Sequence, residues 1–141
     1  MKIDGGCHCG HVTYEAEVET EKVMICHCTD CQTLSGSAFR TSVPAREGSF
    51  KLRSGDLKIY VKIAESGRRR AQAFCPECGT QISASPAGPE PKVHNIRVGT
   101  VRQRDQLVPK RQNWFRSARS WVTSIDSIHK NQKGLDTPLR G

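Results

Sequence analysis

The sequence of 141 residues is poor in apolar side chains: 35% are hydrophobic, and only eight residues are Phe, Trp or Tyr. This hydrophobic fraction lies below the range that is usual for soluble domains, so the core should be thin for the length. Bound metal would compensate, because the free energy of metal binding adds to the free energy of folding. We therefore expect metal-free protein to be poorly folded.

Long hydrophobic runs are absent, and none approaches the roughly 20 residues that a membrane-spanning helix needs. The first residues, Met1–Gly6, lack the apolar region of a signal peptide. The sequence contains no repeat and no linker, so we predict one domain at residues 3–122 and a polar C-terminal tail at 123–141. These absences predict a soluble, cytoplasmic protein with no membrane partner.

Acidic residues are fewer than basic ones, 14 against 22, which gives a net charge of +8. The basic excess is spread along the chain, and its densest run is Arg68–Arg70. The sequence shows no recognition-helix pattern and no stripe of basic residues interleaved with aromatics. The charge therefore indicates a solvated face or an anionic small molecule, and it does not favour a nucleic-acid partner.

Cysteine, in contrast, is abundant. Seven cysteines form three tight groups, Cys7-His8-Cys9, Cys26–Cys31 and Cys75–Cys78. The odd count and the close spacing argue against a disulfide framework. Zinc is the usual occupant of clustered thiolates. Four thiolates close one structural site, and the remaining three match a zinc that keeps a position open for water or substrate.

The residues alone leave two ways to divide the seven thiols. Cys75–Cys78, followed by Gly79, has the form of a zinc knuckle. Its partners are either Cys28 and Cys31, as in an ordinary zinc ribbon, or Cys7 and Cys9. The second division is more economical, because the three cysteines of Cys26–Cys31 can then surround one ion from a single loop.

Two histidines, His8 and His27, stand between cysteines and could be mistaken for ligands. In an extended Cys-His-Cys segment the central side chain points away from the face that the two cysteines share. We therefore expect both histidines to be surface or packing residues.

Local patterns predict a mainly β domain of many short strands. Residues 12–18 alternate between apolar and polar side chains, which is typical of a half-buried strand. Residues 29–34, followed by Gly36, indicate a short helix. Runs at 50–52 and 57–63 flank Ser54-Gly55-Asp56 and predict a hairpin. Residues 114–121 could form a late helix with both tryptophans packed inward.

Several motifs in fixed order resemble the glutathione-dependent formaldehyde-activating enzyme family, which includes the centromere protein V group. The resemblance extends from about Gly5 to Trp121. It rests on Gly5-Gly6-Cys7-His8-Cys9-Gly10, Cys26-His27-Cys28-x-x-Cys31-Gln32, Ser35-Gly36-Ser37-Ala38-Phe39, Phe74-Cys75-Pro76-x-Cys78-Gly79-Thr80 and Val98-Gly99-Thr100.

The resemblance implies a fold class: mainly β, an Mss4-like fold of short antiparallel sheets organised around zinc. It also implies two zinc ions per chain and a division of the thiols between them. By that pattern the structural zinc is held by Cys7, Cys9, Cys75 and Cys78, and the catalytic zinc by Cys26, Cys28 and Cys31. The implied reaction joins glutathione and formaldehyde to give S-(hydroxymethyl)glutathione, a carbon–sulfur lyase reaction written in reverse.

The expected partners are a small thiol and a small aldehyde, and three further residues are candidates for binding them. Arg40 and Arg70 lie close to cysteine groups and suit the carboxylates of glutathione. Ser35 could donate a hydrogen bond to the developing oxyanion. The alternative function is a non-catalytic, zinc-organised binding module for a protein or nucleic-acid partner.

Overall fold

The computed structural model describes residues 1–89 and 91–134. These residues form ten strands, one α-helix and several 3₁₀ turns, and the prediction of a mainly β domain is confirmed. The strands are β1 Lys2–Gly6, β2 Thr13–Glu17, β3 Met24–Cys26, β4 Arg40–Pro44, β5 Lys51–Ser54, β6 Lys58–Ile63, β7 Arg69–Phe74, β8 Gln81–Pro86, β9 Asn95–Arg97 and β10 Arg111–Asn113. The helix is α1 Thr29–Ser35, and the 3₁₀ turns are Thr20–Lys22, Val98–Thr100, Arg104–Gln106, Phe115–Ser117 and Ser120–Ser127.

The strands divide into two sheets. A three-stranded sheet has the order β1-β2-β5, and a seven-stranded sheet has the order β10-β3-β4-β9-β8-β7-β6. All pairings are antiparallel except that of β10 with β3, where Asn113 is the register partner of Cys26. This parallel pairing brings a late segment of the chain next to the second cysteine group.

The hydrophobic core lies between the two sheets. Tyr14 and Ala16 of β2 are buried, as the alternating pattern predicts, and they join one cluster with Val43, Ile82 and Ile96 of the larger sheet. Most core side chains are Val, Ile or Ala, so the core is thin, as the composition indicates.

Helix α1 begins and ends where the sequence predicts. The Sγ atom of Cys28, the N-cap residue, accepts a hydrogen bond from the backbone N–H of Cys31 at 3.3 Å. Gly36 ends the helix in the left-handed conformation (φ 66°), which a residue without Cβ adopts at little cost. The helix is therefore held at both ends by local chemistry.

The predicted hairpin at residues 50–63 is wrong, because its two strands belong to different sheets. Strand β5 pairs with β2, whereas β6 pairs with β7. The turn between them packs against the β1–β2 connection, where the Nε2 atom of His11 lies 2.7 Å from Asp56 Oδ1. A Cβ at Gly55 would lie 2.3 Å from the carbonyl oxygen of His11, so this close approach requires glycine.

The predicted late helix is also wrong, since residues 114–121 form parts of two 3₁₀ turns. Trp114 has a left-handed backbone (φ 56°), and Ala118 is extended between the turns, so neither can continue an α-helix. Both tryptophans are half-exposed, at 42% for Trp114 and 48% for Trp121. The 3₁₀ turn Ser120–Ser127 crosses the predicted start of the tail, and residues 135–141 of that tail lie outside the described residues.

Among the described residues, no helix has the length and apolar character required to cross a bilayer.

Candidate metal centre and adjoining cavity

The structure gathers the seven cysteines into two clusters. The four-cysteine cluster contains Cys7, Cys9, Cys75 and Cys78, and the three-cysteine cluster contains Cys26, Cys28 and Cys31. Within each cluster all sulfur atoms lie within 4.8 Å of one another, and no cysteine is in a disulfide. The ribbon arrangement, with Cys28 and Cys31 beside the Cys75–Cys78 knuckle, is not formed.

The four-cysteine cluster joins the two sheets. Cys7 and Cys9 lie in the β1–β2 connection, and Cys75 and Cys78 lie in the β7–β8 connection. The sulfur of Cys7 is 3.6 Å from that of Cys9, and Cys9 is 3.9 Å from Cys75. Zinc with Zn–S bonds of about 2.3 Å in tetrahedral geometry requires sulfurs about 3.8 Å apart, so this donor set fits zinc.

Polar groups around the four-cysteine cluster form hydrogen bonds with the sulfurs of Cys7, Cys75 and Cys78. Backbone N–H groups of Val12 and Glu77 donate to the sulfurs of Cys7 and Cys75 at 3.2 and 3.4 Å. A hydrogen bond from the Thr80 side chain lowers the pKa of Cys78 to about 5. Such donors stabilise negative sulfur and orient it, as the outer partners of metal ligands do.

The three-cysteine cluster comes from one short segment. Cys26 ends β3, Cys28 caps α1 and Cys31 lies in the first turn of the helix. A hydrogen bond from Cys31 lowers the pKa of Cys26, and the same bond, together with burial, raises the pKa of Cys31. The three sulfurs lie close enough together for one soft cation to bind them all. Three thiolates fit a zinc ion that keeps a fourth position open.

Neither histidine belongs to a cluster. His27 is fully buried, donates from Nε2 to Gln112 Oε1 at 2.7 Å, and packs edge-on against Phe39 and Phe115. His8 is exposed. Both lie outside the sets of mutually close ligand atoms, as the alternation of side chains in an extended segment predicts.

A cavity of about 180 Å³ borders the three-cysteine cluster. Two of the three predicted substrate-binding residues, Arg40 and Arg70, line it. Ser35 does not, because it is exposed at the end of α1 and its hydroxyl donates to the Gln32 carbonyl at 3.5 Å. The lining residues are Met24, Cys26, Cys31, Arg40, Ser42, Lys62, Arg70, Gln72, Ala84, Asn95, Arg97, Asn113 and Trp114.

Arg97 is a site residue that the sequence did not reveal. It belongs to β9, and its guanidinium donates to Ser42 Oγ at 2.7 Å and to Gln72 Oε1 at 3.0 Å. Burial, with repulsion from Arg40 as the next cause, lowers the pKa of Arg97 to about 9, which still leaves it charged at neutral pH. No local motif marks an arginine in a short strand, so only the sheet topology identifies it.

The mouth of the cavity carries Lys62 and Trp114. Lys62 is neutralised by Asp30, at 2.9 Å. Trp114 is the only described non-glycine residue with positive φ, a strained conformation that persists where the surroundings impose it. The guanidinium of Arg116 lies 4.8 Å from the centre of its ring.

Comparisons with known proteins agree with this geometry. A crystal structure of a Rhodobacter sphaeroides protein, a structural genomics target, superposes with a TM-score of 0.59 at 20% sequence identity. The match covers 78% of this chain and 99% of that one, and at this identity it shows the fold alone. The family model described as glutathione-dependent formaldehyde-activating enzyme matches residues 2–117. The chain therefore belongs to the glutathione-dependent formaldehyde-activating enzyme family.

Proposed function

We propose that the protein is a zinc-dependent enzyme of the carbon–sulfur lyase type, which adds glutathione or a similar thiol to formaldehyde or another small aldehyde. The observation that carries this proposal is the position of the three-cysteine cluster at the edge of a cavity rich in arginine. A binding module would need neither an incomplete ligand set nor a charged cavity beside it. The reducing cytoplasm, where thiols remain free, is the proposed location.

In this proposal the two clusters hold different zinc ions. Cys7, Cys9, Cys75 and Cys78 would hold a structural ion, and the three-cysteine cluster a second ion with one free position. When bound there, zinc would lower the pKa of an incoming thiol and so supply a thiolate at neutral pH. The reaction forms one carbon–sulfur bond, and the proton of the thiol ends on the new hydroxyl group.

The arginines of the cavity would bind carboxylate groups of the substrates, the role that the sequence predicts for Arg40 and Arg70 toward glutathione. Arg40 is buried and Arg70 is half-buried, so each would form a stronger ion pair than a fully solvated arginine. Ser35 remains a candidate donor to the oxyanion by sequence, but its hydroxyl is already engaged at the end of α1. We therefore assign substrate binding to the two arginines first.

Exchange spectroscopy tests the reaction. Zinc-loaded protein should speed the exchange between free formaldehyde and its glutathione adduct above the rate in buffer, as measured by ¹³C NMR. Cys31→Ser should return the exchange to the buffer rate, because it removes one ligand of the open site. If wild-type protein leaves the buffer rate unchanged, the proposal fails.

Substitution of the arginines tests their role. A hydrogen bond between charged groups contributes about 1.5–3 kcal/mol, so Arg70→Gln should raise the KM for glutathione at least about tenfold. Arg46→Gln is the matched control, because Arg46 is exposed, pairs with Glu17 and does not line the cavity. Equal effects of the two variants would show that only the overall charge matters.

A further inference from the structure

The inner wall of the cavity carries more positive charge than the protein itself neutralises. Arg40, only 6% exposed, and the mostly buried Arg97 both line it, with Arg70 beside them. Within the described residues, none of these three arginines forms an ion pair, whereas the fourth cation, Lys62, pairs with Asp30. Buried charges are normally paired, because a charge that is buried without a partner loses its hydration without compensation.

One neutral oxygen holds the two buried guanidiniums in place. Gln72 Oε1 accepts a hydrogen bond from Arg40 Nη1 at 3.1 Å and another from Arg97 Nη2 at 3.0 Å. The Nε–H groups of both arginines are buried without a partner. Gln72 thus positions two cations side by side and leaves donors unused, which is the arrangement that a carboxylate bound by two arginines requires.

The three-cysteine cluster cannot supply all the missing negative charge. Three thiolates around a divalent ion carry one net negative charge, and the cavity presents three unpaired arginines to it. A neutral aldehyde such as formaldehyde would add nothing to this balance. A substrate that carries an anionic group into the cavity would supply the missing negative charge.

The size of the cavity limits that substrate. Its volume is about 180 Å³, whereas pockets that enclose a drug-sized ligand measure about 300–1,000 Å³. A tripeptide thiol must lie mostly outside such a space. The group inside the cavity is therefore the smaller of the two reactants, next to Cys26 and Cys31.

We propose that this cavity is a carboxylate subsite built from Arg40, Arg97 and Gln72, and that its carbonyl substrate is a small 2-oxo acid in preference to formaldehyde. The choice of carbonyl compound rests on the proposed thiol addition; the anion subsite itself does not. The sulfur–carbon bond forms at the carbonyl carbon, the C=O double bond opens, and the thiol proton moves to the resulting hydroxyl. The carboxylate remains intact, and no oxidant or reductant is required.

Binding of an unreactive analogue tests the subsite. Oxamate carries a carboxylate next to a carbonyl group, and it should bind zinc-loaded protein in isothermal titration calorimetry, whereas neutral acetamide should not. Arg97→Gln should weaken oxamate binding at least tenfold, and Arg46→Gln should leave it unchanged. Since Arg97→Gln removes a buried side chain, Arg70→Gln serves as a second variant, and thermal unfolding verifies that each variant is folded. If oxamate does not bind, or binds equally to wild type and both cavity variants, the subsite is refuted.

Addition rates measured with a thiol that lacks a carboxylate show which of the two reactants brings the anionic group into the cavity. With 2-mercaptoethanol, the protein should accelerate addition to glyoxylate at least tenfold more than addition to formaldehyde. If glyoxylate reacts at the buffer rate while glutathione and formaldehyde are accelerated, the carboxylate belongs to the thiol; the 2-oxo acid inference is then overturned and the proposed function stands. If oxamate binds in an Arg97-dependent manner while every addition proceeds at the buffer rate, the proposed function fails and the subsite stands.

Discussion

The two cysteine clusters should contribute unequally to stability, and a pair of single substitutions can measure the difference. Cys78→Ser removes a ligand of the four-cysteine cluster, which joins the two sheets. Cys31→Ser removes a ligand of the three-cysteine cluster, which lies within one segment. Each variant should lose one of two bound zinc ions. We expect Cys78→Ser to be the less stable protein by a wide margin.

The magnitude follows from the length of chain that each cluster closes. Cys9 and Cys75 are in contact across 66 positions of sequence, and a cross-link over a loop of that length stabilises by about 4 kcal/mol in chain entropy. A cross-link across the short Cys26–Cys31 segment contributes about 2 kcal/mol by the same relation. For a chain of this length, about 4 °C of Tm corresponds to each kcal/mol. The expected losses are therefore about 16 °C and about 8 °C.

Thermal unfolding followed by circular dichroism, with zinc measured by elemental analysis on the same samples, decides the question. Cys78 is exposed, whereas Cys31 is partly buried, so lost packing would produce the opposite order. Equal losses of Tm, or a larger loss for Cys31→Ser, would refute the argument that the four-cysteine cluster is the cross-link between the sheets.

Three further predictions concern groups outside the clusters. Burial raises the pKa of Tyr14 to about 12, so as the pH rises from about 10 to 12 the wild type should lose about 2 kcal/mol of unfolding free energy that Tyr14→Phe does not lose, as measured by urea denaturation. Gly36→Ala places a Cβ in the left-handed C-cap of α1 (φ 66°), so its urea midpoint should indicate a loss of about 1 kcal/mol. The hydrogen bond that His11 Nε2 donates to the Asp56 carboxylate raises the pKa of His11, so NMR titration of Asp56→Asn should show that pKa falling toward about 6.5, and an unchanged value would contradict the contact.

Features encoded by neighbouring residues were predictable from the sequence. The alternation around Tyr14 gave the buried face of β2, and Gly36 gave the end of α1. Spacing also predicted that the cysteines act in groups, since ligands one to three residues apart need little loop closure. The residues alone favoured the observed division of thiols, and the family resemblance implied the same one.

Features that depend on distant pairing were not predictable. The turn at Gly55 has the composition of a hairpin, yet its two strands pair in different sheets, and the turn contacts the distant His11 through Asp56. Arg97 becomes part of the cavity only because β9 lies between β4 and β8. Trp114 reads as a core residue, but it follows β10, whose parallel pairing with β3 brings it to the cavity. In each case the sheet topology, and not the local pattern, decides the environment.

The distribution of the cysteines along the chain also sets the order in which the sites can form during synthesis. All ligands of the three-cysteine cluster emerge together, whereas Cys9 must wait for Cys75, 66 residues later, which takes roughly 3 to 13 s at ribosomal rates. Asn113 and Trp114, which complete the cavity wall, emerge later still. The three-cysteine cluster is thus accessible to metal before the cavity wall is complete.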